Sequence, residues 1–259
     1  MKKYVNVIAL VFCFLFLPAS QAYSKEVIKV GLAHFPPFIE ARGHEVSGLA
    51  AQMLELMNQH QDKYEFQALP TLPATRHHTF RLGRYDMSMF DNLAWGWRGF
   101  DVDASDVYLR GGEVYIARAE PGRDDSYFTD FKKKTIIGIH GYHYKFADFN
   151  ADEQFLKQTF NMQLTKSNLG SIRMLLLKNR GDIAVVTMSF LANYLKNNPN
   201  DRTKLLVSRK MDQAYQHRII LRRGIKPNIE EINTMLIELT ENGKLLKLWN
   251  DIDPTSIYP

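Results

Sequence analysis

The chain has a single cysteine, Cys13, in 259 residues. That scarcity excludes a disulfide framework and any cysteine-based zinc cluster. Its one apolar run, Val5 to Leu17, is broken by Asn6 and is shorter than the roughly 20 residues a spanning helix needs. No Gly-x-Ser-x-Gly elbow, phosphate loop or Gly-x-Gly-x-x-Gly is present, and no pair of carboxylates stands out as a catalytic dyad. Two histidine pairs, His77-His78 and His140 with His143, lack a carboxylate or cysteine at ligand spacing, so neither a metal nor a cofactor is expected. The only basic run, Lys132-Lys133-Lys134, lies close to Asp124, Asp125 and Asp130 and reads as a solvated loop, not as a nucleic-acid contact.

What is present begins with a leader. Lys2 and Lys3 precede the apolar run, and Ser20-Gln21-Ala22 puts small residues at −3 and −1 of a cut. This is the pattern of a secretory signal peptide over residues 1–22, cleaved after Ala22, which predicts a periplasmic protein. Removing it deletes two lysines and no acid, lowering the formal charge from +5 to +3, and takes the only cysteine with it.

Beyond the leader, short apolar runs alternate with amphipathic stretches. Val27–Leu32 reads as a buried strand before the breaker Pro36-Pro37. Leu49–His60 reads as a helix with Leu49, Met53, Leu56 and Met57 on one face, and Tyr64–Ala68 as a strand. A helix over Thr75–Leu82 ending at Gly83, then a strand over Asp86–Phe90, complete a first block. The second block repeats the order: a strand at Thr135–Ile139, a helix capped by Asn150, a helix capped by Ser171 and a buried strand at Asp182–Val186. Glu113–Arg118 and His217–Arg222 read as strands connecting the blocks, and Ile229–Trp249 as a final helix broken near Asn242-Gly243. The fold class expected is α/β with two lobes, two hinge strands and a cleft between them. The first lobe should comprise residues 23–116 plus 220–259, and the second residues 117–219.

At this level the residues resemble a known family, the periplasmic solute-binding proteins of the polar-amino-acid type (family 3), over about residues 26–252. Ile28-Lys29-Val30-Gly31 with Phe35-Pro36-Pro37-Phe38 is similar to the family's first strand and turn. Ser47-Gly48-Leu49, Leu82-Gly83-Arg84-Tyr85-Asp86, Ser105-Asp106-Val107-Tyr108 and the Asp130–Ile139 stretch resemble further family motifs. The resemblance implies a type II periplasmic-binding-protein fold and a monomer that captures a small polar, carboxylate-bearing, amino-acid-like solute. It also implies a membrane partner, an ABC importer permease, or alternatively a membrane receptor or signalling enzyme. No enzymatic activity is implied, although a few secreted dehydratases share the fold.

By the same resemblance, Arg98, at the family's spacing from Asp86 and Ser105, is the expected carboxylate grip. A guanidinium is a planar, permanently charged fork suited to that task. The alternative is a surface arginine paired with Asp101 or Asp103. Arg76 is a second candidate cation, or else a solvated helix arginine. Phe35 and Phe38 with Trp95 would form a wall; Tyr142 and His143 would close from the second lobe, with Thr187 nearby. Several of these depart from the family pattern. Trp95 stands where a small hydroxyl residue is usual, Phe90, Asp91 and Leu93 replace small residues, Gly141-Tyr142-His143 replaces a hydroxyl-rich loop, and Thr187 replaces the ammonium-binding aspartate. Asp91 can take the ammonium role from the other lobe or simply cap a loop. The aromatic substitutions suit a flat or smaller ligand, or pack the hinge.

Overall fold

Alternation in Glu26–Ala33 turns Ile28, Val30 and Leu32 inward, and all three are buried in strand β1. The computed structural model describes residues 24–250 except 179, so the leader of residues 1–22 lies outside the described residues. A short hairpin, β2 (Glu40–Arg42) and β3 (Glu45–Ser47), follows β1. Helix α1 (Leu49–His60) then buries Leu49, Ala50, Met53, Leu54 and Met57, the helical spacing of one apolar face. It returns the chain to β4 (Tyr64–Thr71), which runs parallel to β1 along its whole length, from Glu26↔Tyr64 to Ala33↔Thr71. Helix α2 (Arg76–Arg81) leads to β5 (Met87–Asp91), parallel to β1 on its other edge.

A second parallel set repeats this plan. Strand β6 (Val102–Ala104) and the long β7 (Leu109–Arg118) lead into it. Its strands are β8 (Ile136–Ile139), β9 (Met162–Thr165) and β10 (Ile183–Thr187), with β8 parallel to both others. Helices α3 (Glu153–Phe160), α4 (Asn168–Leu176) and α5 (Met188–Asn197) connect and flank them.

The two sets are joined by antiparallel pairing. Strand β11 (Leu205–Arg222) runs 18 residues. It pairs with β7 from Leu205↔Arg118 to His217↔Leu109, then continues onto β5 through Ile220↔Ser88 and Leu221↔Met87. Strand β7 in turn pairs antiparallel with β10. The strand order is therefore β4-β1-β5-β11-β7-β10-β8-β9, with β6 also on β11. Each half is a parallel α/β lobe, and β7 and β11 are the crossings between them. Helix α6 (Ile229–Glu241) opens with a capping box between Asn228 and Glu231. Together with α7 (Lys244–Trp249) it packs back on α1 of the first lobe.

Two expected caps move. Ser167, not Ser171, caps α4 by accepting from the Gly170 amide; Ser171 lies one turn inside, buried, with its hydroxyl bonded to Thr165 at 2.7 Å. Asp152, not Asn150, caps α3 by accepting from the Phe155 amide, while Asn150 accepts from the Asp152 amide just ahead. Strand β11 also begins twelve residues before the expected His217, since it pairs with β7 from Leu205↔Arg118; Arg209 and Lys210 interrupt the apolar alternation where the register shifts, which hides this first part from the sequence pattern. Among the described residues no helix is long and apolar enough to cross a membrane.

Candidate functional site

A cavity of about 50 Å³ lies between the lobes. It is walled from the first lobe by the turn after β1 and the loop after β5, from the second by the loop after β8, and floored by β7 and β11. Phe35 is its aromatic centre. Its ring stands edge-on to Trp95 at 5.6 Å and to Tyr142 at 5.5 Å. The loop after β5 turns on Gly96, at φ 85, which the left-handed region permits without a side-chain penalty. That turn leaves Trp95 and Trp97 pointing inward and buried.

Arg76, at the start of α2, is 6% exposed, and all its nitrogens have partners. Nη1 donates to the Pro73 carbonyl at 2.9 Å and the Gly141 carbonyl at 3.4 Å, and Nη2 donates to the Trp95 carbonyl at 2.9 Å. Nε lies 3.5 Å from the Asp91 carboxylate, itself 4% exposed. Asp91 also accepts from the Ser88 hydroxyl at 2.9 Å and the Asn92 amide at 2.8 Å. Buried charges are tolerated when paired and hydrogen-bonded in this way.

Gln213 on β11 organises the floor. It accepts from the Trp95 indole at 3.0 Å and donates to Glu113 at 3.0 Å and to the His143 carbonyl at 2.6 Å. One amide thus ties a first-lobe loop, a second-lobe loop and both crossing strands together. Glu113 faces Gln213 in register on β7 and is 3% exposed. Burial, reinforced by the nearby Asp212 carboxylate, pushes the Glu113 carboxyl up to about 8. His143 is held neutral in the opposite sense, since burial and then Arg76 push its imidazole down to about 3. Among the described residues, two bonds join the cleft loops of the two lobes without passing through a crossing strand: Arg76 to the Gly141 carbonyl, and the Tyr142 hydroxyl to the His34 carbonyl at 3.2 Å.

Of the residues singled out from sequence, Phe35, Arg76, Asp91, Trp95, Tyr142 and His143 line this cavity. Three do not. Phe38 lies behind Phe35, 1% exposed and stacked on Phe90 at 5.4 Å. Thr187 is fully buried inside the second lobe, where its amide donates to Asn168 at 3.1 Å. Arg98 is exposed and outside the lining, because Gly96 and Gly99, both at positive φ, carry it to the outer side of the loop that buries Trp95 and Trp97. Nor does Arg98 hold its alternative partners: Arg223 takes Asp101 at 2.8 Å and Asp103 at 3.0 Å. Glu113 and Gln213 were missed. The signal available was a carboxylate inside the apolar run Gly112–Ala117, but its partner is 100 positions away. Among the described residues, no group of three or more histidine, cysteine or carboxylate side chains is placed to hold a metal.

Just behind the cavity His217 is 0% exposed, and among the described residues neither ring nitrogen has a partner at good hydrogen-bond geometry. Its ring lies 4.6 Å from Phe38 and 4.9 Å from Tyr215. Burial pushes its pKa down to about 3. The unfolded imidazole takes up a proton near pH 6.5 while the folded one stays neutral, so His217 leaves stability intact above that pH. Below it the protein loses up to about 1.4 kcal/mol per pH unit through this residue. Urea unfolding of His217→Phe between pH 7.5 and 5 should show a slope shallower by one proton; an unchanged slope would refute the assignment.

The sequence matches no protein-family profile and no curated protein. The fold does have solved counterparts. The chain is similar to the substrate-binding protein of an amino acid ABC transporter, at 20% identity and TM-score 0.63, with 87% of this chain and 98% of that one covered. It is similar to the GluR0 ligand-binding core in complex with L-glutamate, at 15% identity and TM-score 0.67, covering 88% and 99%. It is also similar to the ancestral amino acid-binding protein AncCDT-1, a precursor of cyclohexadienyl dehydratase, at 16% identity and TM-score 0.66, covering 87% and 94%. The fold is therefore that of the two-lobed type II periplasmic binding proteins, as the sequence motifs implied.

Proposed function

We propose that this chain is an extracytoplasmic solute-binding protein that closes its two lobes on a small polar solute and presents the closed form to an ABC importer. The observation that carries this reading is the cavity itself. It is lined from both lobes, it sits on the two crossing strands, and the bonds from Arg76 to Gly141 and from Tyr142 to His34 form only when the lobes meet. The first lobe is assigned residues 23–116 plus 220–259 and the second residues 117–219. The signal-like residues 1–22 support export, and the amino-acid binders among proteins of this fold support an amino-acid-like solute. The carboxylate grip expected at Arg98 has no support, since Arg98 is exposed off the cavity and the donors of Arg76 are committed to carbonyls and Asp91.

Native mass spectrometry of gently purified protein should show one protein copy carrying one small molecule. Small-angle scattering of stripped protein should contract when that molecule is returned. A panel of solutes that leaves both mass and radius of gyration unchanged would refute the binding role. A second reading, a dehydratase, draws support from Glu113, whose carboxyl is held protonated at neutral pH and can act as a general acid toward a leaving hydroxyl. Its mark would be a bound hydroxy acid converted to a product lighter by one water.

A further inference from the structure

Two titratable rings meet across the lobes. His77, on α2 of the first lobe, and His143, in the loop after β8 of the second, stand edge-on with centroids 5.8 Å apart. Gly96 makes room for them: their Cε1 atoms lie 2.8 and 2.9 Å from where its β-carbon would stand. His77 packs on Trp97 at 4.8 Å and on Phe100 at 5.4 Å, and among the described residues its buried Nε2 has no hydrogen-bond partner. Nδ1 of His143 lies 2.6 Å from the Phe149 carbonyl. We propose that these two histidines form a proton-operated latch, which holds the lobes together while both are neutral and releases them in acid. The proposal rests on the solute-binding reading above and adds the regulation of that same site.

The surroundings of both rings oppose a further positive charge. Arg76 stands beside them on α2, and its guanidinium is fixed by Asp91 and three carbonyls. Arg81, on the same helix, lies over the Phe100 ring on which His77 packs. From β5, Asp91 is committed to Arg76, Ser88 and the Asn92 amide. From β7, Glu113 shares the cavity lining with His143, but burial keeps it protonated up to about 8, so it supplies no negative charge in acid. The loop after β8 adds Tyr142 and Tyr144, whose hydroxyls burial holds protonated. Strand β11 contributes the neutral amide of Gln213, bonded to the His143 carbonyl. The loop after β5 brings the Trp95 backbone to His77, while His78 and Arg98 are exposed. His34, the third histidine of the lining, accepts from the Ala41 amide within the first lobe at 3.2 Å, a bond that does not depend on closure. Among the described residues the histidines paired with carboxylates are His60 and His140, neither of them at this contact.

Burial, then Arg76 and Arg81, push the His77 imidazole down to about 3; burial, then Arg76, do the same to His143. Separating the lobes returns water to His143 and takes it away from Arg76, restoring a value near 6.5. His77 loses only one side of its packing and recovers in part. The open form therefore binds protons that the closed form refuses, and it does so below about pH 6.5 and not above. Closure should weaken by more than about tenfold per pH unit from about pH 6 downward, since more than one proton is taken up on opening.

Small-angle scattering of the gently purified full chain, stepped from pH 7.5 to 4.5, should show a compact particle that expands in the acid half of that range. It should contract again on return, with far-ultraviolet circular dichroism unchanged throughout. Ring nitrogen-15 shifts of histidine-labelled protein should show two histidines that stay neutral until the expansion and take up protons with it. His77→Phe keeps an aromatic contact and removes one titrating group, so its expansion should need a lower pH and follow a shallower proton slope. His78→Phe, one residue on and exposed, should follow the wild-type curve. A chain that stays compact to pH 4.5 would overturn the latch. So would expansion only where dichroism is lost, uptake of both protons with no expansion, or a wild-type curve in His77→Phe. All four leave the solute-binding reading standing. A chain expanded at every pH, and unmoved by any solute of the panel, overturns that reading instead.

Discussion

Replacing Gly141 with alanine should give a protein that folds but does not close. A β-carbon there would lie 2.2 Å from the Ala74 nitrogen, 2.5 Å from its Cα and 2.6 Å from the Pro73 carbonyl carbon. These are backbone atoms, so no side-chain rotation relieves the clash. They belong to the first lobe while Gly141 belongs to the second, so separation of the lobes does relieve it. The remaining cost is the positive φ of 81, about 1–2 kcal/mol for a residue with a β-carbon. Affinity should fall by at least about 100-fold, because the binding-competent closed form becomes rare. The radius of gyration should stay at its open value at saturating solute. Gly83→Ala is the control: its φ is 65 and nothing lies within 4 Å of the added carbon, so it carries only the backbone strain and should close normally. Wild-type contraction in Gly141→Ala would show that this contact does not limit closure.

Arg76→Ala should be the most destabilising single change at the cleft, at about 3–5 kcal/mol. It strands the Asp91 carboxylate, 4% exposed, without a cation, and removes the donors from the Pro73, Trp95 and Gly141 carbonyls. Lysine should not rescue it, because one ammonium cannot span carbonyls that the guanidinium fork reaches on opposite sides. Arg76→Ala with Asp91→Ala should recover a substantial part of the loss, since the unpaired charge is then gone. A double-mutant cycle by urea unfolding reads the coupling directly. Single and double variants of equal stability would mean that the carbonyl bonds, not the ion pair, carry the effect.

How far the residues alone disclosed this molecule depended on distance along the chain. Helix α1 falls on the expected Leu49–His60 because its apolar spacing is local and Gly48 and Gln61 break it. The break between α6 and α7 falls at Asn242-Gly243 because Gly243 adopts a left-handed conformation at φ 77. The cavity wall was legible to the extent that Phe35, Trp95 and Tyr142 belong to motifs of fixed register. Arg98 shows where counting stops working. Its distance from Asp86 fitted the family spacing, but two glycine turns decide which side of the loop it occupies. Glu113 and Gln213 were beyond such counting altogether, since their meeting depends on the pairing of β7 with a strand whose register shifts twice between Val207 and Gln213.

The long strand β11 also sets a timetable for synthesis. Everything that completes the second lobe's parallel strands lies within one uninterrupted interval, β8 to β10, and can condense as soon as it emerges. The first lobe has to wait. Strand β5 acquires its antiparallel neighbour only when Arg218–Leu221 arrive, more than a hundred residues later, and α1 is covered only after α6 and α7. The part of the protein made first is therefore the last to be finished, and until then its sheet edge stays open to chaperones and to aggregation.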